Sequence, residues 1–304
     1  MSLRPQAPGG RQRSSRVQDL LMNLDRRVIF LVIALAVALP VLFPLNLPIG
    51  TSREARAYYD EMEKLSAGDA ILFSFDYEPD TMAETDPMSI ATLHHAFRKN
   101  VRVIALTLYP GGIGIAERIL RQVANEYGKV YGVDYVFLGY NPDWSATMLR
   151  MGESIKGAYP TDHYGTPTTG IPLLEKFDRY DDIKLVVSIA SSALAEYWVI
   201  WAGGKYHAKV IAGNTAIQAV LIYPYFQAHQ LAGFLGGLKG AAEYERLIGR
   251  DGAGVRGMDA QSMAHLLIVC FIILGNIGFL IYGRPGARAT TAGAAGAVDQ
   301  QGDS

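Results

Sequence analysis

Hydrophobic residues are concentrated in two runs, one towards each end of the chain. VIFLVIALAVALPVLFPL lies in residues 27–47 and has no charged residue, and MAHLLIVCFIILGNIGFLIY occupies residues 263–282. About 20 apolar residues are enough to cross a hydrocarbon core ~30 Å thick. The pattern therefore predicts two transmembrane helices.

Between these runs, residues 51–257 alternate short apolar segments with segments of helical periodicity. Five apolar runs predict strands at 70–75, 101–108, 134–138, 183–189 and 209–212, and the last helical pattern covers 225–248 as one long helix. Continuous apolar strands that alternate with helices are typical of a parallel sheet covered on both faces. The predicted fold class is α/β, with a doubly wound, mainly parallel sheet of the flavodoxin or Rossmann kind, flanked by two transmembrane helices.

Charge predicts how the chain crosses the membrane. Residues 1–26 are rich in arginine, and Arg284 and Arg288 follow the second run. The positive-inside rule therefore places both termini in the cytoplasm and the domain outside the plasma membrane. The segment 285–304 is a low-complexity sequence that we expect to be disordered.

Composition excludes several classes of function. The segment between the runs holds 20 Lys and Arg against 25 Asp and Glu, a net charge of −5. An acidic domain without a basic face is a poor nucleic-acid binder, because that affinity comes mainly from neutralising phosphates. Adjacent His94 and His95 face different sides of a helix, and the lone Cys270 lies in the second run. We therefore predict neither a metal site nor a cofactor, and the expected partners are the lipid bilayer and other membrane proteins or further copies of the chain.

Ligands of open α/β sheets gather beyond the carboxyl ends of the strands. Polar residues and glycines stand at these predicted ends, and they are the candidate ligand-binding residues: Asp76, Gly111, Gly112, Asn141, Ser191, Ser192, Asn214 and Thr215. We refer to this set as the strand-end rim.

Each candidate also has a structural interpretation. Asp76 could orient a ligand, coordinate a cation or act as a base, or it could cap a loop. Gly111 and Gly112 open a helix and could bind an anion through backbone N–H groups, or they could permit a tight turn. Ser191 and Ser192 follow a strand as a hydrolase nucleophile would, but the G-x-S-x-G motif is missing. The Tyr-rich segment 158–182 could close over the rim as a lid.

Glycines are spaced regularly in the predicted helix 225–248. Gly233, Gly236, Gly237 and Gly240 form small-xxx-small pairs. Each interior glycine costs a helix about 0.5–1 kcal/mol against alanine, so the pattern indicates a close approach of backbones. That approach could lie within the domain, or in a tight contact with another copy or a bilayer helix.

Two stretches, YGVDYVFLGY at 131–140 and GGLKGAAEYE at 236–245, resemble an uncharacterised family of prokaryotic membrane proteins. The resemblance implies a membrane-anchored α/β domain and no particular activity. Because the residues form no coherent catalytic set, the sequence favours a non-enzymatic scaffold or accessory subunit of an envelope assembly, and its glycine pattern predicts an oligomer. The alternative is a small-molecule binding domain or a hydrolase that uses the strand-end rim.

Overall fold

A computed structural model describes residues 25–282, with side chains as far as Ile277. The chain divides into two compact units, residues 40–260 and the apolar segments on either side of them. The arginine-rich start and the tail 285–304 lie outside the described residues, apart from Asp25 and Arg26.

Six parallel strands form the sheet of the central unit. They are β1 (Ala70–Asp76), β2 (Arg102–Thr107), β3 (Tyr135–Tyr140), β4 (Leu185–Ala190), β5 (Val210–Asn214) and β6 (Gly233–Gly236), in the order β3-β2-β1-β4-β5-β6. This is the strand order of doubly wound dinucleotide-binding folds, and the chain reverses direction across the sheet between β1 and β4. The predicted α/β class is confirmed.

Helices cover both faces of the sheet. The α-helices of residues 25–282 are α1 (Arg26–Leu42), α2 (Arg53–Glu63), α3 (Met82–Arg98), α4 (Gly112–Glu126), α5 (Trp144–Met151), α6 (Ile155–Ala158), α7 (Pro172–Lys176), α8 (Leu194–Trp198), α9 (Gly204–Tyr206), α10 (Ala216–Gln227), α11 (Gly237–Leu247) and α12 (Ala253–Tyr282). Residues of α2, α3, α4 and α11 form the core on one face. The other face is packed mainly by α5 to α8 and the segment between α6 and β4.

The single long helix expected at 225–248 is wrong. Helix α10 ends at Gln227, β6 occupies Gly233–Gly236 beside β5, and α11 begins at Gly237. Gly233 and Gly236 therefore lie in a strand, and Gly237 has a φ of +59° where the strand turns into the helix. A four-residue strand with a glycine at each end carries almost no strand signal, because glycine is depleted in strands.

Close packing within the domain explains these glycines. A Cβ at Gly233 would lie 2.6 Å from the Cα of Tyr58, and one at Gly240 would lie 2.9 Å from the Cα of Leu235. The four glycines do not lie in one helix. The prediction that they form one helix face for contact with another copy or a bilayer helix is therefore wrong. The close approach lies inside the domain, between β6, α2 and α11.

Only α12, among the helices of residues 25–282, is long and apolar enough to cross a membrane, over Ala253–Ile277. Helix α1 is apolar and largely exposed, but it has 17 residues and contains Pro40. At 1.5 Å per residue it measures roughly 25 Å. The structure thus shows one candidate span where the sequence predicted two.

Candidate functional site

Asp76 ends β1 beside the point where the strand order reverses, and its side chain is fully buried. One carboxylate oxygen accepts the backbone N–H of Leu108 at 2.8 Å. The other accepts the Ser74 hydroxyl at 2.6 Å and the indole N–H of Trp198 at 3.0 Å. Burial raises the pKa of Asp76 to about 6, although these three donors oppose the shift. The carboxylate therefore holds together β1, the end of β2 and α8.

Further buried polar groups share this face of the sheet. Ser188 on β4 is the register partner of Ser74, and Asn214 on β5 pairs with Ala190. The Ser188 hydroxyl, the Asn214 side-chain oxygen and the Tyr159 hydroxyl are buried, and within the described residues they have no hydrogen-bond partner. Burial, with Asp76 nearby, raises the pKa of Tyr159. Such groups are the ones that ordered water or a small polar ligand satisfies.

Sequence reasoning missed Ser74, Ser188, Tyr159 and Trp198. The signal for Ser74 was available, because residues two apart on a strand point to the same face. Tyr159 and Trp198 come from other elements, and no local pattern connects them with Asp76. We call Asp76, Ser74, Ser188, Asn214, Tyr159 and Trp198 the buried polar cluster.

The glycine turn of the rim is packed tightly. A Cβ at Gly112 would collide with the Phe75 carbonyl and the Thr107 hydroxyl, and one at Gly111 would lie 3.1 Å from the Glu78 Cγ. The glycines therefore permit a close turn, which supports that interpretation. An anion at the start of α4 would also approach the acidic Glu78.

The other predicted rim residues reach the same edge but make local contacts. Asn141 accepts the Asp143 N–H at 3.1 Å, and Ser192 accepts the Leu194 N–H at 3.4 Å. The Ser191 N–H donates to the Asp76 carbonyl at 3.1 Å, and Thr215 stands buried at the start of α10. No atom of these residues is placed as an activated nucleophile beside a base. A ligand role for them stays a prediction.

The Tyr-rich segment 158–182 is not a lid. Tyr159, Leu174 and Tyr180 are buried in the core of one sheet face. Asp162 accepts the Tyr131 hydroxyl at 2.8 Å. The segment packs as part of the domain because its buried side chains belong to the core of that face.

His94 and His95 point to different neighbours, as their adjacency predicts. His95 is buried between the Tyr244 hydroxyl at 2.7 Å and the Glu63 carboxylate at 3.0 Å. Since the carboxylate can only accept, Nε2 carries the hydrogen and Nδ1 accepts from Tyr244. His94 lies 3.9 Å from Glu126. Within residues 25–282 no group of three or more His, Cys, Asp or Glu side chains is arranged to hold a metal ion.

Acid is expected to destabilise the domain through these histidines. Burial lowers the pKa of each to about 4, from 6.5 in the unfolded chain. The unfolded state therefore binds more protons between pH 6.5 and pH 4, and the free energy of unfolding falls by up to about 3 kcal/mol per histidine as the pH is lowered through that window. Asp76 opposes this, because its pKa is higher in the folded state and its protonation favours folding between about pH 6 and 3.8. Melting temperatures of the wild type and of His95→Gln across this range provide the measurement.

In His95→Gln, the histidine-dependent fall of stability between pH 6.5 and pH 4 should be about half as large, since only His94 then remains to titrate. An equal pH dependence in the variant would contradict a neutral, buried His95.

Three of the cavities in the described part of the chain lie elsewhere on the domain. One of about 400 Å³ is bordered by α10, β6 and α11, and its lining includes Val220, Tyr223 and the buried Glu243. Glu243 accepts the Ser52 backbone N–H and hydroxyl, and its other oxygen lies 2.7 Å from the Lys239 ammonium. One of the other two is lined by residues from the segments 199–210 and 225–232. The other is lined by residues from the segments 149–157 and 205–206. None of the three is lined by the strand-end rim.

Comparisons with known proteins add little. No family model matches the chain, and no curated protein matches it. One solved structure, "crystal structure of AibC", is similar with a TM-score of 0.30 and 15% sequence identity. The match covers 73% of this chain and 54% of that one. A similarity this weak shows neither the function nor the fold of the chain. The fold class follows from the strand order of the sheet.

Proposed function

We propose that the protein is a membrane-anchored scaffold or accessory subunit of an envelope assembly. In this proposal α1 and α12 both cross the plasma membrane, with both termini in the cytoplasm and the α/β domain outside. The apolar length of α12, the exposed apolar surface of α1 and the arginines of the first 27 residues support it.

The burial of Asp76 and Asn214 is the observation that carries the non-catalytic part of this proposal. In folds of this class, chemistry takes place at the carboxyl ends of the strands. Here Asp76 and Asn214 are buried, and the Asp76 oxygens accept three protein donors. A general base must reach the proton that it abstracts, and a buried, fully engaged carboxylate does not. The geometry favours a structural use of the rim.

Cross-linking of the full-length protein in native membranes tests the proposal. We expect discrete species heavier than the monomer, because a scaffold is defined by its stable neighbours. The double variant Ser191→Ala/Ser192→Ala should give the same species, since neither hydroxyl is needed for a scaffold. If only the monomer is seen under all conditions, the assembly role is contradicted. If the heavier cross-linked species are lost in the serine variant, the two hydroxyls are needed and the structural interpretation of the rim is contradicted.

The cavity beside Glu243 favours a second candidate, small-molecule binding. Apolar side chains with one buried carboxylate resemble the make-up of ligand pockets, which are mainly apolar with a few placed polar groups. A small apolar molecule that raises the melting temperature of the wild type, but not of Val220→Trp, whose larger side chain fills the cavity, would support this candidate. The rim would then have no part in binding.

A further inference from the structure

The largest of these three cavities lies at the amino ends of β5 and β6. It measures about 620 Å³ and is bordered by the loop that leads from α9 into β5, the loop that leads from α10 into β6, and the turn before α9. The strand-end rim lies at the opposite, carboxyl edge of the sheet. Small-molecule sites have volumes of about 300–1,000 Å³, so this cavity has the size of a binding site.

The inner wall of the cavity is apolar, and its opening carries polar side chains. Val199 and Val210 line it and are buried. His207, His229 and Gln230 also line it and are exposed. An apolar wall with a few polar groups that fix the orientation of the ligand is the usual make-up of a small-molecule site.

The two histidines have the same unusual backbone conformation in the two loops. His207 follows α9, and His229 lies two residues after α10, and each has a φ of +58°. Glycine is the usual residue at such a helix end, because a Cβ is strained in the left-handed region. The chain thus places an imidazole twice where glycine would be less strained, and both imidazoles line one cavity.

A π-helical turn forms another part of the wall. Residues Val199–Gly203 have this conformation between α8 and α9, and Val199, Ile200 and Gly203 line the cavity. Helical turns of this kind are rare, and they occur frequently at functional sites. The turn is therefore a second sign, independent of the histidines, that the cavity is built for a ligand.

The charges at the opening favour an anion. His207, Lys209 and His229 can carry positive charge, and the described residues that line the cavity include no Asp or Glu. Glu61 of α2 lies 2.8 Å from the Lys209 ammonium and offsets its charge. The imidazoles therefore supply most of the recognition, because an imidazole donates a hydrogen bond when neutral and is also a cation when protonated.

We propose that this cavity binds a small organic acid. The apolar body of the ligand lies against Val199 and Val210, and its carboxylate or phosphate group accepts hydrogen bonds from His207 and His229. Two imidazoles alone fit a metal ion less well, since zinc in proteins takes three or four protein ligands. The site is separate from the cavity beside Glu243, and it depends neither on membrane anchoring nor on a scaffold role.

Calorimetric titration of the full-length protein in dodecyl maltoside tests the site. The probes are naphthoate and naphthyl phosphate, which distinguish a carboxylate from a phosphate ligand, and naphthylmethylamine is a cation with the same apolar body. Micelles without protein give the blank. We expect at least one of the two anions to bind, and the cation to bind about tenfold more weakly or not at all, because the opening lacks a carboxylate.

The double variant His207→Gly/His229→Gly removes both imidazoles without endangering the fold. Glycine adopts a φ of +58° without strain, so the melting temperature should stay close to that of the wild type. Affinity for the anion should fall about tenfold or more, because hydrogen bonds to a charged group are lost. Asn100→Gly is the matched control, since Asn100 has a φ of +55° but does not line the cavity, and it should bind as the wild type does.

Ile200→Glu provides a second test of the charge. Ile200 is 43% exposed at the cavity, so the domain accepts the new carboxylate, which should weaken binding of the anion and strengthen binding of the amine. Failure of both anions to bind, or unchanged anion binding in the double glycine variant, would overturn the proposal. Equal affinity for anion and cation would reduce the site to an apolar cavity, which also overturns it. Binding of Zn²⁺ by the wild type that is lost in the glycine variant would assign the two imidazoles to a metal ion instead.

Discussion

Replacing Asp76 with alanine is expected to lower the free energy of unfolding by about 2–4 kcal/mol. The change leaves the Leu108 N–H and the Trp198 indole N–H buried without an acceptor. Each such loss costs about 1–3 kcal/mol, and the relief of a desolvated carboxylate returns part of the sum. Unfolding of the detergent-solubilised protein, followed by tryptophan fluorescence, measures the difference.

Asp80→Ala is the matched control for this prediction. Asp80 is an exposed carboxylate four residues further along the chain, so its removal should change stability by no more than about 0.5 kcal/mol. The free energy of unfolding of Asp76→Asn should lie between those of the two alanine variants. The amide oxygen of asparagine can accept from some of the donors, but its NH2 group cannot accept from the others. Equal stability of Asp76→Ala and Asp80→Ala would show that the buried polar cluster does not depend on its carboxylate.

The sheet was predictable because its strands are buried on both faces. All residues of β1 are buried, and its sequence AILFSFD is nearly continuous in apolar residues. The sequence thus identified five of the six strands and the doubly wound class. It missed β6, because GFLG is short and its two terminal glycines are explained by neighbours in space, such as Tyr58, rather than by neighbours in sequence.

The location of the candidate site could be predicted from the sequence, but whether its residues bind a ligand or stabilise the fold could not. The strand-end rule correctly brings Asp76, Ser191 and Asn214 to one edge of the sheet. Whether a carboxylate there faces a ligand or the protein depends on its partners, and these come from residues 32 and 122 positions away. No local pattern reports contacts over such separations.

Gly233→Ala tests the correction at β6, and a large loss of stability is expected. The added Cβ would lie 2.6 Å from the Tyr58 Cα and 2.7 Å from the Ala57 carbonyl carbon, both in the backbone of α2. Backbone cannot rotate away as a side chain can, so α2 must move off the sheet, at a cost of about 3 kcal/mol.

Gly114→Ala is the matched substitution in a true helix. Gly114 lies in α4, and a Cβ there would meet no atom within 4 Å. Alanine should therefore stabilise the protein by about 0.5–1 kcal/mol, because it restricts the unfolded chain more than glycine does. If residues 225–248 formed one exposed helix, both substitutions would stabilise the protein. With Gly233 packed against α2, the two variants must shift the unfolding midpoint in opposite directions, and a shared direction would contradict the placement of β6.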